Sequence, residues 1–442
     1  MNRRSLTRNR LGGLRGLAVT VTILLFAGCA DDGGPMAPAS DGTALRPASS
    51  GCPCGGGGSG GGLAWVANGG SGTATAILTE DRSTAATVPV GSSPSGVALS
   101  PDAAFAWVAN TGSNSVAVIR TSDFTPVASV SVGSRPWGVA VSPDGAFAYV
   151  ANQLGPSLSV IRTSDYTVTA TVPLTSLPFG VAVSPDGNWI YVTEGGASQV
   201  TVLRASDLSV ETTVAVGSSP RLVAFDPDGS FAYVSNFFSN TLSVIRVADH
   251  AVEATVPVDE GPLGVAVTAD GSHVYVAAQR ADRISVVSTA SRSVAATIGV
   301  GSRPVDVAIA GGSAWVTNLF SGTVSVLRTA DHTVSATVSV GLLPRGIAVS
   351  APSGSCSLED LMDCVTALGP DGDGTLNKGQ ANALDKKLEQ ASRFVEKGNI
   401  RVAANVLSAF IRQVEDLRDE GVLDDEKADA LIGCAESVIE NL

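Results

Sequence analysis

Arginine and aromatic side chains are concentrated in short segments of this 442-residue chain that are otherwise rich in Gly, Pro, Ser and Asn. A guanidinium group offers five N–H donors to an anion, and an aromatic ring offers a large apolar face. The two together are typical of binding surfaces. The candidate binding residues are Arg135, Trp137, Phe179, Arg221, Phe237, Phe238, Arg280, Arg283, Arg303, Phe320 and Arg345. Their chemistry favours an anionic ligand, a glycan or a protein surface as the partner.

Residues that support catalysis are few in this sequence. The three histidines are His250, His273 and His332, and their positions do not bring two of them to the segments that hold the arginines. A His-based lyase or a metal site would need such a pair. The chain has no Gly-x-Ser-x-Gly, P-loop or Cys-x-x-Cys-His motif. We therefore predict no catalytic residue, no metal and no cofactor, and we favour a protein that is not an enzyme.

One acidic segment, 371–377, has the spacing of part of a calcium-binding loop. In that alignment Gly369 and Gln380 occupy the first and twelfth positions, where a calcium loop needs carboxylates. The loss of two anionic ligands favours a solvated turn over a calcium site.

An aromatic residue followed by Val recurs seven times and indicates the elements that position the candidate residues. The first six copies are each 42 residues apart, and the last step is 40 residues. A period of about 40 to 50 residues made of short strands is typical of propeller blades. The aromatic residues are Trp65, Trp107, Tyr149, Tyr191, Tyr233, Tyr275 and Trp315.

Residues 138–174 show how one repeat forms a blade of four strands, a to d. Val and Ile alternate there with Ser, Thr and Ala in four short runs, with a period of two, and turns such as Pro143-Asp-Gly145 separate them. Strands b, c and d of one blade occur at 64–90 without a strand a. A lone strand a occurs at 345–350, so the two segments are expected to complete the seventh blade.

The loops from d to a and from b to c leave the same face of a propeller. The candidate arginines and aromatic residues lie in or beside these loops, so they are expected at one face. In the alternative interpretation, the arginines solvate loop tips and the aromatic rings plug the mouth of the central channel.

Two resemblances accompany these patterns. Tyr-Val-Thr at 191–193, with Ser-Pro-Asp-Gly turns at 142–145 and 184–187, resembles the YVTN family of β-propeller repeats over about 64–350. This resemblance implies the fold and no single activity. Residues 374–442 are rich in helix formers, with apolar residues on helical faces, and Leu-Asn-Lys-Gly at 376–379 and Phe-Ile-Arg-Gln-Val at 410–414 resemble the FIMAH domain of secreted bacterial proteins.

The start of the chain has the pattern of an export signal. Five arginines precede the apolar run 17–26, and the segment ends at Cys29, which resembles the lipidated cysteine of bacterial lipoproteins. We predict a signal peptide at 1–28, a lipidated Cys29 with a Gly-rich tether at 29–62, a seven-bladed propeller at 63–352, a linker with a short helix at 353–373, and a helical domain at 374–442.

Five other cysteines are candidates for disulfide bonds because export leads to an oxidising compartment. Cys356 is expected near Cys52 or Cys54, since both ends of the propeller meet at the seventh blade. Cys364 and Cys434 are expected to pair within the helical domain. A bond between Cys356 and Cys364, or a metal clip formed by Cys52 and Cys54, remains the alternative.

The formal net charge is −13, and loss of the five leader arginines lowers it to −18. This charge argues against nucleic acid as a partner and against direct binding to anionic lipids, so membrane attachment would depend on the lipid. The sequence therefore predicts a monomeric, lipid-anchored binding or scaffold module of the bacterial cell envelope, facing the periplasm or the exterior. The alternative is a secreted propeller enzyme of lactonase or lyase type, with its site at the channel mouth.

Overall fold

The structure is a computed structural model that describes residues 62–350, 358–370, 374–397 and 399–440. Twenty-eight strands form seven antiparallel sheets of four strands each, followed by four helices. The fold class predicted from the sequence, a seven-bladed β-propeller with a small all-α domain after it, is confirmed.

The strands are numbered in chain order, and each blade contains four of them. The first three strands are β1 (Leu63–Asn68), β2 (Thr73–Leu78) and β3 (Thr84–Pro89). Blade 1 contains β4 (Pro94–Leu99), β5 (Phe105–Asn110), β6 (Ser115–Arg120) and β7 (Thr125–Ser131). Blade 2 contains β8 (Ser134–Val141), β9 (Phe147–Leu154), β10 (Ser157–Arg162) and β11 (Thr167–Pro173). Blade 3 contains β12 (Pro178–Val183), β13 (Trp189–Glu194), β14 (Gln199–Arg204) and β15 (Val210–Ala215).

The remaining blades follow the same order. Blade 4 contains β16 (Pro220–Phe225), β17 (Phe231–Asn236), β18 (Thr241–Arg246) and β19 (Ala251–Pro257). Blade 5 contains β20 (Pro262–Val267), β21 (His273–Ala278), β22 (Arg283–Ser288) and β23 (Ser293–Gly299). Blade 6 contains β24 (Pro304–Ala310), β25 (Ser313–Asn318), β26 (Thr323–Arg328) and β27 (Val334–Ser339). The last strand is β28 (Pro344–Val349).

Blade 7 joins the two ends of the propeller, as predicted. Its strand order is β28-β1-β2-β3, so the last strand of the propeller pairs with the first. Trp65 lies opposite Ala348 in this pairing. The backbone N–H of Ser350 donates to the carbonyl of Leu63 (2.9 Å), and the N–H of Leu63 donates to the Ser350 hydroxyl (2.9 Å). Within the described residues, strand pairing and these hydrogen bonds therefore close the ring.

The repeated aromatic residues form the core between blades. Trp65 of blade 7 is fully buried and packs with Val97, Val108 and Ile119 of blade 1. The other blades repeat this contact with their own neighbours. Each aromatic side chain thus buries its apolar area against the next sheet, which explains why the motif recurs with the blade period.

The Asn that ends strand b connects strands b and c with the preceding d-to-a loop. In blade 2 the Asn152 amide donates to the hydroxyls of Ser157 (3.2 Å) and Ser159 (2.9 Å). Gly133 lies so close that a Cβ atom there would be 2.6 Å from Asn152 Cγ. The glycine is required for this approach because it has no side chain.

The four helices form one compact unit. They are α1 (Leu358–Leu368), α2 (Lys378–Glu396), α3 (Ile400–Asp419) and α4 (Asp425–Glu440). Asn377 and Gln380 form a capping box at the start of α2. Leu361, Val365 and Leu368 of α1 belong to the same buried core as Leu384 and Phe410. The short helix predicted between the two domains is therefore α1, whose apolar residues pack in the core of the helical unit, and the predicted domain bounds stay a prediction.

Both cysteines of the helical unit are buried in this core, and Cys434 is disulfide-bonded. Cys29, Cys52, Cys54 and Cys356 lie outside the described residues, as do the predicted signal peptide, the tether and residues 371–373 of the acidic segment. The predicted pairings stay predictions. None of the helices in the described part of the chain combines the length and apolar character needed to cross a membrane.

Candidate ligand-binding site at the channel mouth

In six blades the innermost strand begins with a proline, and in blade 2 the proline is the third residue of β8. The residue after each of these prolines lies near the central channel. We call these seven residues the mouth ring. They are Ser95, Trp137, Phe179, Arg221, Leu263, Val305 and Arg345. The ring lines two contiguous cavities, an inner one of about 150 Å³ and an outer one of about 190 Å³, and Trp137, Leu263, Val305 and Arg345 line both.

Glycines allow the innermost strands to pack closely enough to form this ring. Gly138 follows Trp137, and a Cβ atom at Gly138 would lie 2.5 Å from the Phe179 carbonyl oxygen of the next blade. Five of the seven blades have glycine at this position. The two exceptions are Leu222 and Asp306, and only Asp306 introduces a charge.

The structure brings six of the eleven predicted residues into one continuous row. Arg345 lies over the ring of Trp137 (5.3 Å to the centroid), and Trp137 packs edge-on against Phe179 (5.7 Å). Arg221 lies between Phe179 (3.9 Å) and Phe237 (5.0 Å). Arg280 continues the row at 4.7 Å from Phe237. We call this set the cation–aromatic row.

Three further predicted residues extend this face outward. Phe238, which is 60% exposed, packs against Phe237 (5.2 Å) and Arg280 (5.5 Å). Arg303 lies 5.0 Å from the centre of Phe320, which is 62% exposed. Large apolar rings at this exposure, beside cations, are typical of an interaction surface.

Arg135 and Arg283 do not join the cation–aromatic row. Arg135 is exposed near the start of β8, directly before its proline, where φ is 54° and its N–H donates to the Asn114 side chain (2.9 Å). Arg283 lies 3.9 Å from the carboxylate of Asp259, so a neighbouring acid partly neutralises it. The geometry thus separates these two from the other nine residues.

Burial changes the electrostatics of the two arginines of the mouth ring. Desolvation lowers the pKa of Arg221 to about 10. Desolvation, and then repulsion by Arg135, lowers the pKa of Arg345. In the described part of the chain neither guanidinium is paired with a carboxylate, and the buried Nε of Arg221 has no hydrogen-bond partner. Two partly desolvated cations without a counter-charge therefore face the channel mouth.

Asp306 is a candidate functional residue that the sequence reasoning missed. It lines the inner cavity, where one carboxylate oxygen accepts the N–H of Val307 (3.0 Å) and the other accepts that of Ile347 (3.2 Å). Burial raises the pKa of this carboxyl from 3.8 to about 7. An alignment of the repeats could have identified Asp306, since it occupies a position at which most blades have glycine.

The histidines have structural contacts away from this site. The rings of His273 and His332 lie 5.1 Å apart, and His332 Nδ1 is 2.7 Å from the hydroxyl of Tyr275. His250 makes the same contact with Tyr191 (2.7 Å). Within the described residues, no three His, Cys, Asp or Glu side chains come together in a way that could hold a metal ion.

Glu194 is a fully buried acid that takes the place of the strand-b Asn in blade 3. It accepts hydrogen bonds from the N–H groups of Thr175 (2.9 Å) and Ser176 (2.6 Å) and from the hydroxyl of Thr201. These contacts take the place of those that Asn152 makes in blade 2. The burial of Glu194 is therefore accounted for by its structural role within the blade.

Comparisons with known families agree with both parts of the fold. Residues 371–440 match the FIMAH domain, and residues 71–171 and 166–255 match the family described as lactonase, 7-bladed beta-propeller. The recognition made from the sequence, a seven-bladed propeller repeat protein with a FIMAH-like domain, is thereby confirmed. Asp306 and Arg345 lie outside the ranges that match the lactonase family. No curated protein sequence matches the chain significantly.

Solved structures share the fold at low identity. A functionally unknown protein from Desulfotomaculum acetoxidans DSM 771 aligns with a TM-score of 0.60 and 20% identity, over 66% of this chain and 99% of its own. A putative 6-phosphogluconolactonase from Bacteroides uniformis ATCC 8492 aligns at 0.56 and 18%, over 65% and 99%. Kuenenia stuttgartiensis hydrazine synthase aligns at 0.56 and 22%, over 60% and 92%. At these identities the similarity extends to the fold alone.

Proposed function

We propose that this protein is a binding module whose propeller takes an anionic ligand at the channel mouth. The observation that carries the proposal is the pair of half-buried guanidinium groups of Arg221 and Arg345, stacked on Phe179 and Trp137 without a carboxylate partner in the described part of the chain. A desolvated cation gains most from an opposite charge, because the local dielectric is low.

The aromatic residues fix the geometry of this site. A guanidinium that is stacked on a ring keeps its N–H edge free, so it still donates to a carboxylate or a phosphate. The rings also offer apolar surface to the body of the ligand. In a chain with a net charge of −13, a patch of unpaired arginines is unusual. The positive charge of these arginines gives the site its selectivity for anions.

The setting of this module is part of the proposal. A lipid on Cys29 would hold the propeller at the bacterial cell envelope through the 29–62 segment, in the periplasm or outside the cell. The ligand would then be an extracytoplasmic metabolite, or an acidic group of a glycan or protein. The helical domain would serve as an auxiliary contact, as the extracellular occurrence of FIMAH domains suggests.

Calorimetric titration with benzoate, and with benzamide as its neutral isostere, tests the proposal. Benzoate should bind and lose affinity as salt rises, while benzamide should bind at least about tenfold more weakly. The double variant Arg221→Gln/Arg345→Gln should abolish the difference. Arg162→Gln, which removes an exposed ion pair with Asp165, is the matched control and should change nothing. Equal binding of the two probes would refute the proposal.

The second candidate is an enzyme of lactonase type, and Asp306 is the observation that favours it. A carboxyl with a pKa of about 7 is suited to act as a general base towards water, and the propeller matches a lactonase family over part of its length. Proton release from a sugar δ-lactone would measure this activity. The enzyme hypothesis requires that the protein hydrolyse the lactone faster than the spontaneous reaction does. It also requires that Asp306→Asn remove this acceleration. A rate equal to that of buffer would leave binding as the function.

A further inference from the structure

The inner cavity contains an acidic residue that the outer cavity lacks, and the outer cavity contains an arginine that the inner cavity lacks. Asp306 lines the inner cavity, and Arg221 lines the outer one. Arg345 lines both, and the walls that they share are Trp137, Leu263 and Val305. A ligand that occupies the two cavities would therefore meet a carboxyl at one end, apolar walls in the middle and guanidinium groups at the other end.

Asp306 has no ion-pair partner within the described residues. It lies on β24, which packs against β20, β21, β25 and β28. The charged or titratable residues on those four strands are Arg345, His273 and Tyr275, and no ion pair joins Arg345 or His273 to Asp306 in the described part of the chain. The carboxylate accepts two backbone N–H groups and offers about four acceptor positions. Half of its acceptor capacity is thus left for another donor.

From this juxtaposition we infer that the ligand is a small zwitterion, with an ammonium group bound at Asp306 and a carboxylate or phosphate bound by Arg221 and Arg345. A short apolar spacer joins the two ends and packs between Trp137 and Val305. The inference rests on the proposed binding function and names its ligand class. The inner cavity of about 150 Å³ admits a slender aliphatic amine and excludes a sugar chain or a folded partner.

The charged form of Asp306 is the one that binds an ammonium group. The raised pKa of Asp306 means that the carboxyl loses its proton near pH 7. Affinity for a zwitterion should therefore rise as the pH increases from 6 to 8, since ionisation of Asp306 adds an attraction. The arginines stay charged throughout this range, so a simple anion should show no such increase.

Calorimetry on the full mature chain tests the inference with three ω-amino acids, 4-aminobutyrate, 5-aminopentanoate and 6-aminohexanoate, each against the fatty acid of equal length. One amino acid should bind at least about tenfold more tightly than its fatty acid, which is the usual strength of a hydrogen bond to a charged group. Asp306→Asn should remove this preference, so that each amino acid and the fatty acid of equal length bind with similar affinity. Phosphoethanolamine in the same titrations distinguishes a phosphate from a carboxylate at the outer end.

The outcomes separate this inference from the proposed function. If fatty acids and amino acids bind equally while Arg221→Gln/Arg345→Gln abolishes both, the anion site stands and the zwitterion is refuted. If none of the probes binds, both the zwitterion inference and the proposed anion-binding function are refuted. The wild-type pH dependence provides a second readout that does not require a variant: a flat affinity between pH 6 and 8 would overturn the role of Asp306.

Discussion

Replacing Asp306 with Asn should stabilise the propeller at alkaline pH. The carboxyl is buried beside the channel, and its pKa rises from 3.8 to about 7 on folding. A carboxyl with a raised pKa binds its proton more tightly in the folded state, so ionisation costs stability as pH rises from about 4 to 7. Asn keeps one oxygen to accept an N–H from Val307 or Ile347 and never ionises.

The change in the pKa of Asp306 on folding determines the size of the expected stabilisation. A difference from 3.8 to about 7 corresponds to roughly 4 kcal/mol in the free energy of unfolding above pH 7, at 1.36 kcal/mol for each pKa unit. For a chain of this size that free energy raises the melting temperature by about 5 °C. The gain should fall to below about 1 kcal/mol near pH 4 and vanish below about pH 3, where Asp306 is protonated in both states.

Urea unfolding followed by intrinsic fluorescence at pH 4.5 and pH 8 measures the difference between wild type and Asp306→Asn. Other titrating groups, including the histidines, are present in both proteins and cancel in this difference. Asp259→Asn is the control, because it removes a carboxylate that has an ion-pair partner, Arg283, and it should not stabilise the protein at pH 8. A variant that loses stability equally at both pH values would show that the Asp306 carboxylate is a needed hydrogen-bond acceptor and not a buried charge.

Three further predictions concern packing in the blades. Gly138→Ala should lower the melting temperature, since its Cβ would lie 2.5 Å from the carbonyl of Phe179, and scanning calorimetry would show no loss if the strands can separate freely. Asn152→Ala should cost about 2 to 3 kcal/mol in chemical denaturation because two buried hydroxyls lose their donor, whereas a cost below about 0.5 kcal/mol would contradict this account. His332 has a pKa below its usual 6.5, first because burial disfavours the charged form, so it contributes stability above pH 6.5 that is lost as pH falls. His332→Gln should weaken the protein at pH 8 through the lost contact with Tyr275 and weaken it less at pH 5, and an equal effect at both pH values would refute the burial argument.

The propeller architecture could be predicted from the sequence because each blade corresponds to one copy of a sequence repeat. Trp65 and its six counterparts are spaced by the length of a blade. The first strand of the propeller, which lacks a strand a before it, pairs with the last strand, which lacks strands b to d after it. The mouth was predictable in part, because loops that leave one face of a propeller must lie near one another. The same reasoning also included Arg283, whose partner Asp259 comes from another loop and is not visible in the repeat pattern.

The sequence alone determined the number of blades, the closure of the ring and which loops share a face, since each follows from the period of short-range patterns. Tertiary structure decided which arginines lie unpaired against aromatic rings. It also decided that Asp306, one of two departures from glycine at its position in the repeat, lines a cavity together with Arg345. These properties depend on distances between residues of different blades and on the loss of solvent around them. A linear pattern does not encode either quantity, because both arise only when the seven sheets close around the channel.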